Sequence, residues 1–157
     1  MSEPQDMNLL LWRHAEAEEG FPDAGRRLTP RGRKQAEKMA RWLHEFGPSP
    51  LRILVSPARR TVETAAFFNK SYELCEDLGV DGTPSELLTA AGWPDHSGSV
   101  LIVGHQPTLG VVASQLLGGS DDSLSFKKGA LWWFARRHRE GDGETVLKAV
   151  ISPAMMG

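Results

Sequence analysis

The sequence predicts a three-layer α/β/α sandwich built on a mainly parallel sheet of about six strands. Three observations carry that expectation. Short, continuous apolar runs recur along the chain, as in strands covered on both faces. Helical apolar spacing falls between them. Strand–helix–strand alternation then implies parallel neighbours, right-handed crossovers and helices on both sides of the sheet.

Met7 to Trp12 (MNLLLW) supplies the first strand, Leu51 to Val55 (LRILV) the second and Val100 to Gly104 (VLIVG) the strongest of those that follow. A weaker run spans Ser71 to Cys75, and a late pair, Leu131 to Phe134 and Val146 to Ile151, has no helix between its members and fits an antiparallel edge. Ala36, Met39, Ala40 and Leu43 fall at i, i+3, i+4, i+7 and place an amphipathic helix after the first strand; Leu109, Val112, Ala113 and Leu116 repeat the pattern. Val62, Ala65 and Ala66 give a shorter apolar face. Thr29-Pro30, Ser56-Pro57 and Thr83-Pro84 each read as a capping hydroxyl followed by proline in the first helical turn, and Glu86 completes a capping box with Thr83.

Composition sets the outer bounds. With 157 residues, 40% apolar and 24% charged, residues 1–157 suit one ordinary globular domain with no need of a disulfide or metal staple. A net charge of −2 argues against a general nucleic-acid binder. The acidic start lacks the pattern of a signal peptide, and no apolar run reaches the ~20 residues of a membrane span. The single cysteine, Cys75, fits a reducing compartment, so the expected location is cytoplasmic.

In open α/β sheets ligands sit outside the carboxyl ends of the strands, so the residues that directly follow each strand carry the chemistry. Arg13 and His14 follow the first strand, Arg59 and Arg60 open the helix after the second, and His105 follows VLIVG. Guanidinium forks match phosphate oxygens and stay charged. Histidine among arginines has its protonated form disfavoured, which leaves a neutral nucleophile. Two arginines and two histidines around one point therefore suggest phosphoryl transfer through a covalent phosphohistidine. Each feature alone has a plainer reading: a solvated strand end for Arg13-His14, surface charge for one of Arg59 and Arg60, a core or capping group for His105. The remaining histidines lack such support. His44 falls on the polar side of a helix, His96 in a Pro/Gly/Ser loop, and His138 in a basic run, Arg136 to Arg139, that reads as a solvated turn. Trp132-Trp133 suits core and interface equally.

Four ordered segments resemble the histidine phosphatase superfamily, with its phosphoglycerate-mutase-like fold, and within it the SixA-type phosphohistidine phosphatases. Leu10 to Ala17 (LLWRHAEA) is similar to the family's strand-then-Arg-His opening, and Asp23 to Gly32 (DAGRRLTPRG) to the D-x-x-R-x-L-T-x-x-G segment of the SixA branch. Val55 to Ala65 (VSPARRTVETA) resembles S-P-x-x-R-x-x-Q-T-A, and Val103 to Pro107 (VGHQP) the second-histidine motif. The resemblance implies that His14 is the nucleophile, that Arg13 and Arg60 clamp the phosphoryl oxygens, and that His105 stabilises charge in the transition state. It places Arg26 at the pocket rim, with an ion pair to Asp23 as the competing placement. The cationic side chains supply the counter-charge, so no metal and no cofactor are expected; the resemblance implies as substrate a phosphorylated protein such as a histidine-containing phosphotransfer domain, with a small phosphorylated metabolite as the alternative.

The sequence also departs from the family pattern. Ala15 stands where many relatives have glycine. Glu63 replaces the usual glutamine, at i+3 from Arg60, where it could orient that arginine. The loop Glu76 to Val80 lacks the usual proline. Relatives that cleave phosphoesters need a general acid, because an alkoxide is a poor leaving group; Asp77 and Glu76 are the nearest by position, while Glu86 is better explained as a cap. Imidazole leaves phosphorus more readily, which favours a phosphoramidate substrate. Short connections with no lid insertion suit a side chain on another protein.

Overall fold

The computed structural model describes residues 6–139 and 142–156. Six strands and four helices alternate: β1 (Met7–Arg13), α1 (Pro30–Phe46), β2 (Arg52–Val55), α2 (Arg59–Ala66), β3 (Glu73–Leu74), α3 (Pro84–Ala91), β4 (Gly98–Gly104), α4 (Thr108–Gly118), β5 (Leu131–Arg139) and β6 (Asp142–Ile151). The sheet order is β3-β2-β4-β1-β5-β6. β4 pairs with both β1 and β2 in parallel, as β2 does with β3, whereas β5 runs antiparallel to β1 and to β6. The sheet is therefore mixed rather than mainly parallel. The short β5–β6 connection explains why β6 opposes β5, since parallel neighbours need a long crossover; β5 also opposes β1, although helix α4 precedes it.

The alternation of β1 builds both cores at once. Met7, Leu9 and Leu11 point to one face, where they meet Leu87 and Ala91 of α3 and Leu109, Val112 and Ala113 of α4. Leu10 and Trp12 point to the other, against Met39 and Leu43 of α1 and Ala65 of α2. All five are fully buried, and each leucine so placed contributes roughly 2 kcal/mol of hydrophobic stabilisation. Among the described residues no helix is long and apolar enough to cross a membrane.

Two of the three expected helix caps form. Thr29 accepts from the Gly32 amide at 2.9 Å, and Thr83 and Glu86 exchange both bonds of a capping box. The third does not: α2 begins at Arg59 with Ala58 at the cap position and no side-chain cap. Ser56 receives only a long 3.4 Å contact from the Ala58 amide, because its hydroxyl faces a histidine described below. The basic run expected as a turn is instead the second half of β5, where Arg136 bonds Thr145 across the strand pair at 3.0 Å; an edge ladder tolerates charged side chains that a buried strand would not. The weak run at Ser71 to Cys75 shrinks to the two-residue β3. Trp133 is buried in the core beside α1, and Trp132 stacks on Phe126 at 4.8 Å, so both serve packing within this chain.

One helix position ties the core to the site. The Gln106 side chain bridges the Leu124 carbonyl (2.9 Å) and the Gly110 amide (2.8 Å), which draws the segment after α4 close over the helix. A Cβ on Gly110 would lie 1.9 Å from the Leu124 carbonyl oxygen. We expect Gly110→Ala to cost about 1–3 kcal/mol, as overpacking does. Gly118→Ala, with nothing within 4 Å of the added carbon, should cost nothing. Urea denaturation of the two variants checks the contrast, and equal stabilities would contradict the close approach.

Candidate active site

Parallel register brings the strand ends together. Arg13 pairs with Gly104 and Val55 with Val103, so His14, His105 and Ser56 are the next residues on three adjacent strands. The His14 amide bonds the Gly104 carbonyl at 3.2 Å and the Ser56 amide the Val103 carbonyl at 3.1 Å, continuing the ladder past the strands. Separated by much of the chain, His14 and His105 end with ring centroids 5.4 Å apart. Arg13, Arg60, Arg26, Gln106 and Lys128 complete a pocket of about 190 Å³ around them.

Each side chain is held by its backbone surroundings. The His14 Nδ1 lies 2.7 Å from the Ala15 carbonyl. A carbonyl can only accept, so Nδ1 carries the proton and Nε2 keeps the lone pair. The Ala15 amide in turn donates to Thr64 Oγ1 of α2 at 3.1 Å. Arg13 donates from Nη1 to the Phe126 carbonyl at 2.7 Å, which links it to the segment that Gln106 positions. Arg60 sends Nη1 to the Asp23 carbonyl (3.0 Å) and Nη2 to Asp23 Oδ2 (3.1 Å). At this pocket three buried nitrogens find no hydrogen-bond partner among the described residues: Nε of Arg13, Nε of Arg60 and Nδ1 of His105. Unpaired buried polar groups are costly, and three around one cavity point to an anion.

The electrostatics follow. Burial pushes the His14 pKa down to about 3; the Ala15 carbonyl works against it, while His105, Arg60 and Arg13 add to it. His105 is pushed down to about 4, first by burial and then by Arg60 and Arg13, with Asp23 partly offsetting them. Both imidazoles are neutral at physiological pH. The expectation of a neutral histidine named like charge as the cause, but desolvation is the larger one. Burial lowers the Arg13 pKa as well. Asp23 is held below the usual carboxylate range by its hydrogen bond to Arg26, reinforced by Arg60.

The structure brings His14, Arg13, Arg60, His105 and Arg26 to one pocket. Arg26 occupies both expected placements at once: it lines the pocket and pairs with Asp23 at 3.0 Å, its Nε reaching the Glu18 carbonyl. Glu76 and Asp77 are not in that pocket. They are exposed and line an adjoining cleft of about 350 Å³, which also borders Ser56, Asp23 and Val80. Glu63 does not orient Arg60. It pairs with Arg59 at i+4 (3.1 Å) and accepts from the Leu28 amide at 2.8 Å, because the guanidinium of Arg60 turns inward to Asp23. Reading the sequence missed Ser56, Gln106 and Lys128. It took Asp23 only as a partner of Arg26. The position of Ser56, directly after a strand that ends beside VLIVG, was the available signal. Among the described residues no group of three or more His, Cys, Asp or Glu side chains could hold a metal ion.

Two neutral imidazoles and convergent guanidiniums thus stand together at the carboxyl edge of an α/β sheet. The family model of the histidine phosphatase superfamily (branch 1) matches residues 9–79. A phosphohistidine phosphatase SixA homolog of Haemophilus influenzae is 32% identical over 128 residues, which cover 71% of this chain and 78% of that one. Phosphohistidine phosphatase SixA of Escherichia coli is 28% identical over 126 residues, covering 72% and 76%. Among solved structures, a protein histidine phosphatase SixA complexed with tungstate superposes with a TM-score of 0.78 at 24% identity over 96% of this chain and all of that one. A phosphoserine phosphatase of Entamoeba histolytica shares the fold at a TM-score of 0.70 and 18% identity, covering 96% and 99%. This chain belongs to the histidine phosphatase superfamily and is of the SixA type.

The lowered histidine pKa values have a consequence for stability. Between about pH 4 and 6.5 the unfolded chain binds protons on both histidines while the folded protein does not, so folding weakens as pH falls through that window. The slope is at most about 1.4 kcal/mol per pH unit for each histidine. Urea midpoints from pH 7.5 to 4.5 should fall for the parent and fall less steeply for a His14→Asn/His105→Asn double variant. Parallel curves would contradict burial of the neutral forms.

Proposed function

We propose that this protein is a metal-independent phosphohistidine phosphatase that works in the cytoplasm and passes through a phosphohistidine on His14. The observation that carries the proposal is the bond from His14 Nδ1–H to the Ala15 carbonyl. It fixes the ring and leaves the Nε2 lone pair free in a pocket lined by buried donors. Nε2 attacks phosphorus in line, the bond from phosphorus to the substrate nitrogen breaks, and its electron pair leaves with the substrate imidazole, which takes a proton from solvent. Water then attacks the phosphoenzyme, the bond from phosphorus to Nε2 breaks, and inorganic phosphate is released. Arg13 and Arg60 hold the equatorial oxygens and supply counter-charge, His105 donates a hydrogen bond, and Arg26 and Lys128 stand at the rim.

The leaving group decides the substrate class. Glu76 and Asp77 lie exposed in the adjoining cleft rather than beside His14, an arrangement that suits a leaving group needing little acid assistance. Imidazole is such a group and an alkoxide is not. The H. influenzae and E. coli relatives carry phosphohistidine phosphatase names, which supports the same reading. The partner we infer is a phosphorylated protein, such as a histidine-containing phosphotransfer domain. The second reading, a small phosphomonoester, draws on the same cleft, with Asp77 or Glu76 as the acid.

Three measurements test this account, the last of which separates the two readings. Incubation with a phosphodonor should put acid-labile phosphate on the parent and none on His14→Ala; label on a histidine of that variant contradicts the assignment. Arg60→Ala should lower kcat/KM by roughly 10²–10³, as loss of an oxyanion donor does. Asp77→Asn should leave hydrolysis of a protein phosphohistidine within a few-fold. If alkyl phosphates turn over as fast and Asp77→Asn abolishes their turnover, the phosphomonoester reading replaces ours.

A further inference from the structure

The hydroxyl of Ser56 lies 2.7 Å from Nε2 of His105. Both residues are buried, Ser56 completely and His105 to within 4% of full burial. An imidazole that is neutral bears one proton, and which nitrogen holds it depends on what its neighbours can donate or accept. Ser56 Oγ already receives the Ala58 amide at 3.4 Å, and among the described residues it meets no acceptor other than His105 Nε2. A buried hydroxyl with one acceptor in reach donates to it.

We infer that Ser56 is a positioning residue for the proposed phosphoryl transfer: it donates to Nε2 of His105 and so fixes the proton on Nδ1, the nitrogen left free to hydrogen-bond the transferring group. This inference rests on the reading of the site given above and deepens it. His105 faces His14 and Arg13 from β1, Arg60 from α2 and Asp23 from the turn before α1. In that company it is neutral at physiological pH, with a pKa pushed down to about 4, and a neutral ring has one proton to give. Without Ser56 that proton is divided between Nδ1 and Nε2, and the form with a bare Nδ1 lone pair repels a phosphoryl oxygen. Ser56 therefore does for the second imidazole what the Ala15 carbonyl does for the first. One fixes a lone pair for attack and the other a proton for charge stabilisation.

The two placements also explain each other. The ordinary role for a Ser-Pro before a helix is the N-cap, yet α2 has no side-chain cap. The Thr61 hydroxyl instead bonds the carbonyls of Ser56 (2.8 Å) and Ala58 (2.7 Å), which holds the turn in place while the serine hydroxyl faces the histidine.

The test combines kinetics with a readout that needs no substrate. In Ser56→Ala, kcat for a protein phosphohistidine should drop about tenfold at pH 7.5. The deficit should hold from pH 7.5 to about 5 and shrink as pH falls from 5 toward 4, where a growing share of His105 carries protons on both nitrogens. Ser56→Thr keeps the hydroxyl and should recover most of the rate. Nitrogen-15 correlation spectra of the labelled parent should show His105 protonated at Nδ1, and Ser56→Ala should shift its signals toward a tautomer mixture. A parent His105 protonated at Nε2 overturns the inference, as does a Ser56→Ala deficit that is absent or constant with pH. Should the parent hydrolyse no phosphohistidine, the function proposed above fails, while the tautomer in the spectra still decides the role of Ser56.

Discussion

Two imidazoles buried among guanidinium groups set the terms for the rest of this molecule. A histidine taken out of water loses the hydration that stabilises its charged form, and neighbouring cations penalise that form again. His14 and His105 meet both conditions, and the result is a pair of uncharged rings in a pocket that otherwise favours anions. Holding Arg13 and Arg60 there is costly unless carbonyls and carboxylates receive their protons. The Phe126 carbonyl does so for one and Asp23 for the other. Three nitrogens around the cavity stay unpaired, Nε of Arg13, Nε of Arg60 and Nδ1 of His105, and such a lining suits an anion.

The fold serves that arrangement by parallel register. Only strands that run the same way deliver their carboxyl ends to one edge, and β1, β4 and β2 do so side by side. The antiparallel strands β5 and β6 contribute no strand end there, but the segment leading into β5 does. It carries Phe126, whose carbonyl anchors Arg13, and Gly129, whose amide donates to the His14 carbonyl and whose carbonyl accepts from the Trp12 indole. Gln106, next to one histidine, pins the start of that same segment. Packing of α4 is thus coupled to the orientation of a guanidinium on another strand.

Much of this was legible in the residues alone, for identifiable reasons. The strands β1 and β4 announce themselves because both faces are covered, so their runs are continuously apolar. The helices α1 and α4 show their periodicity because one stripe meets the sheet. The strand-end histidines and arginines could be placed on one edge from topology. What escaped notice depended on competition between partners that no spacing encodes. Ser56 had every feature of a cap and gave its hydroxyl to His105 instead. Glu63 stood within reach of two arginines and took Arg59, because Arg60 had turned to Asp23. The run Arg136 to Arg139 looked solvated because an edge ladder imposes little hydrophobic pattern. The antiparallel β5–β6 pair was legible because no helix separates its members, whereas the antiparallel pairing of β5 with β1 was not, because a helix precedes β5.

Neutrality of the paired rings is the claim on which nucleophilic attack, charge stabilisation and the pH response all depend. A nitrogen-15 NMR titration of the free protein measures it directly. The account predicts that His14 and His105 stay unprotonated from neutral pH down to about pH 5 and take up protons only below it. Midpoints near 6.5 for His14 and His105 would contradict it.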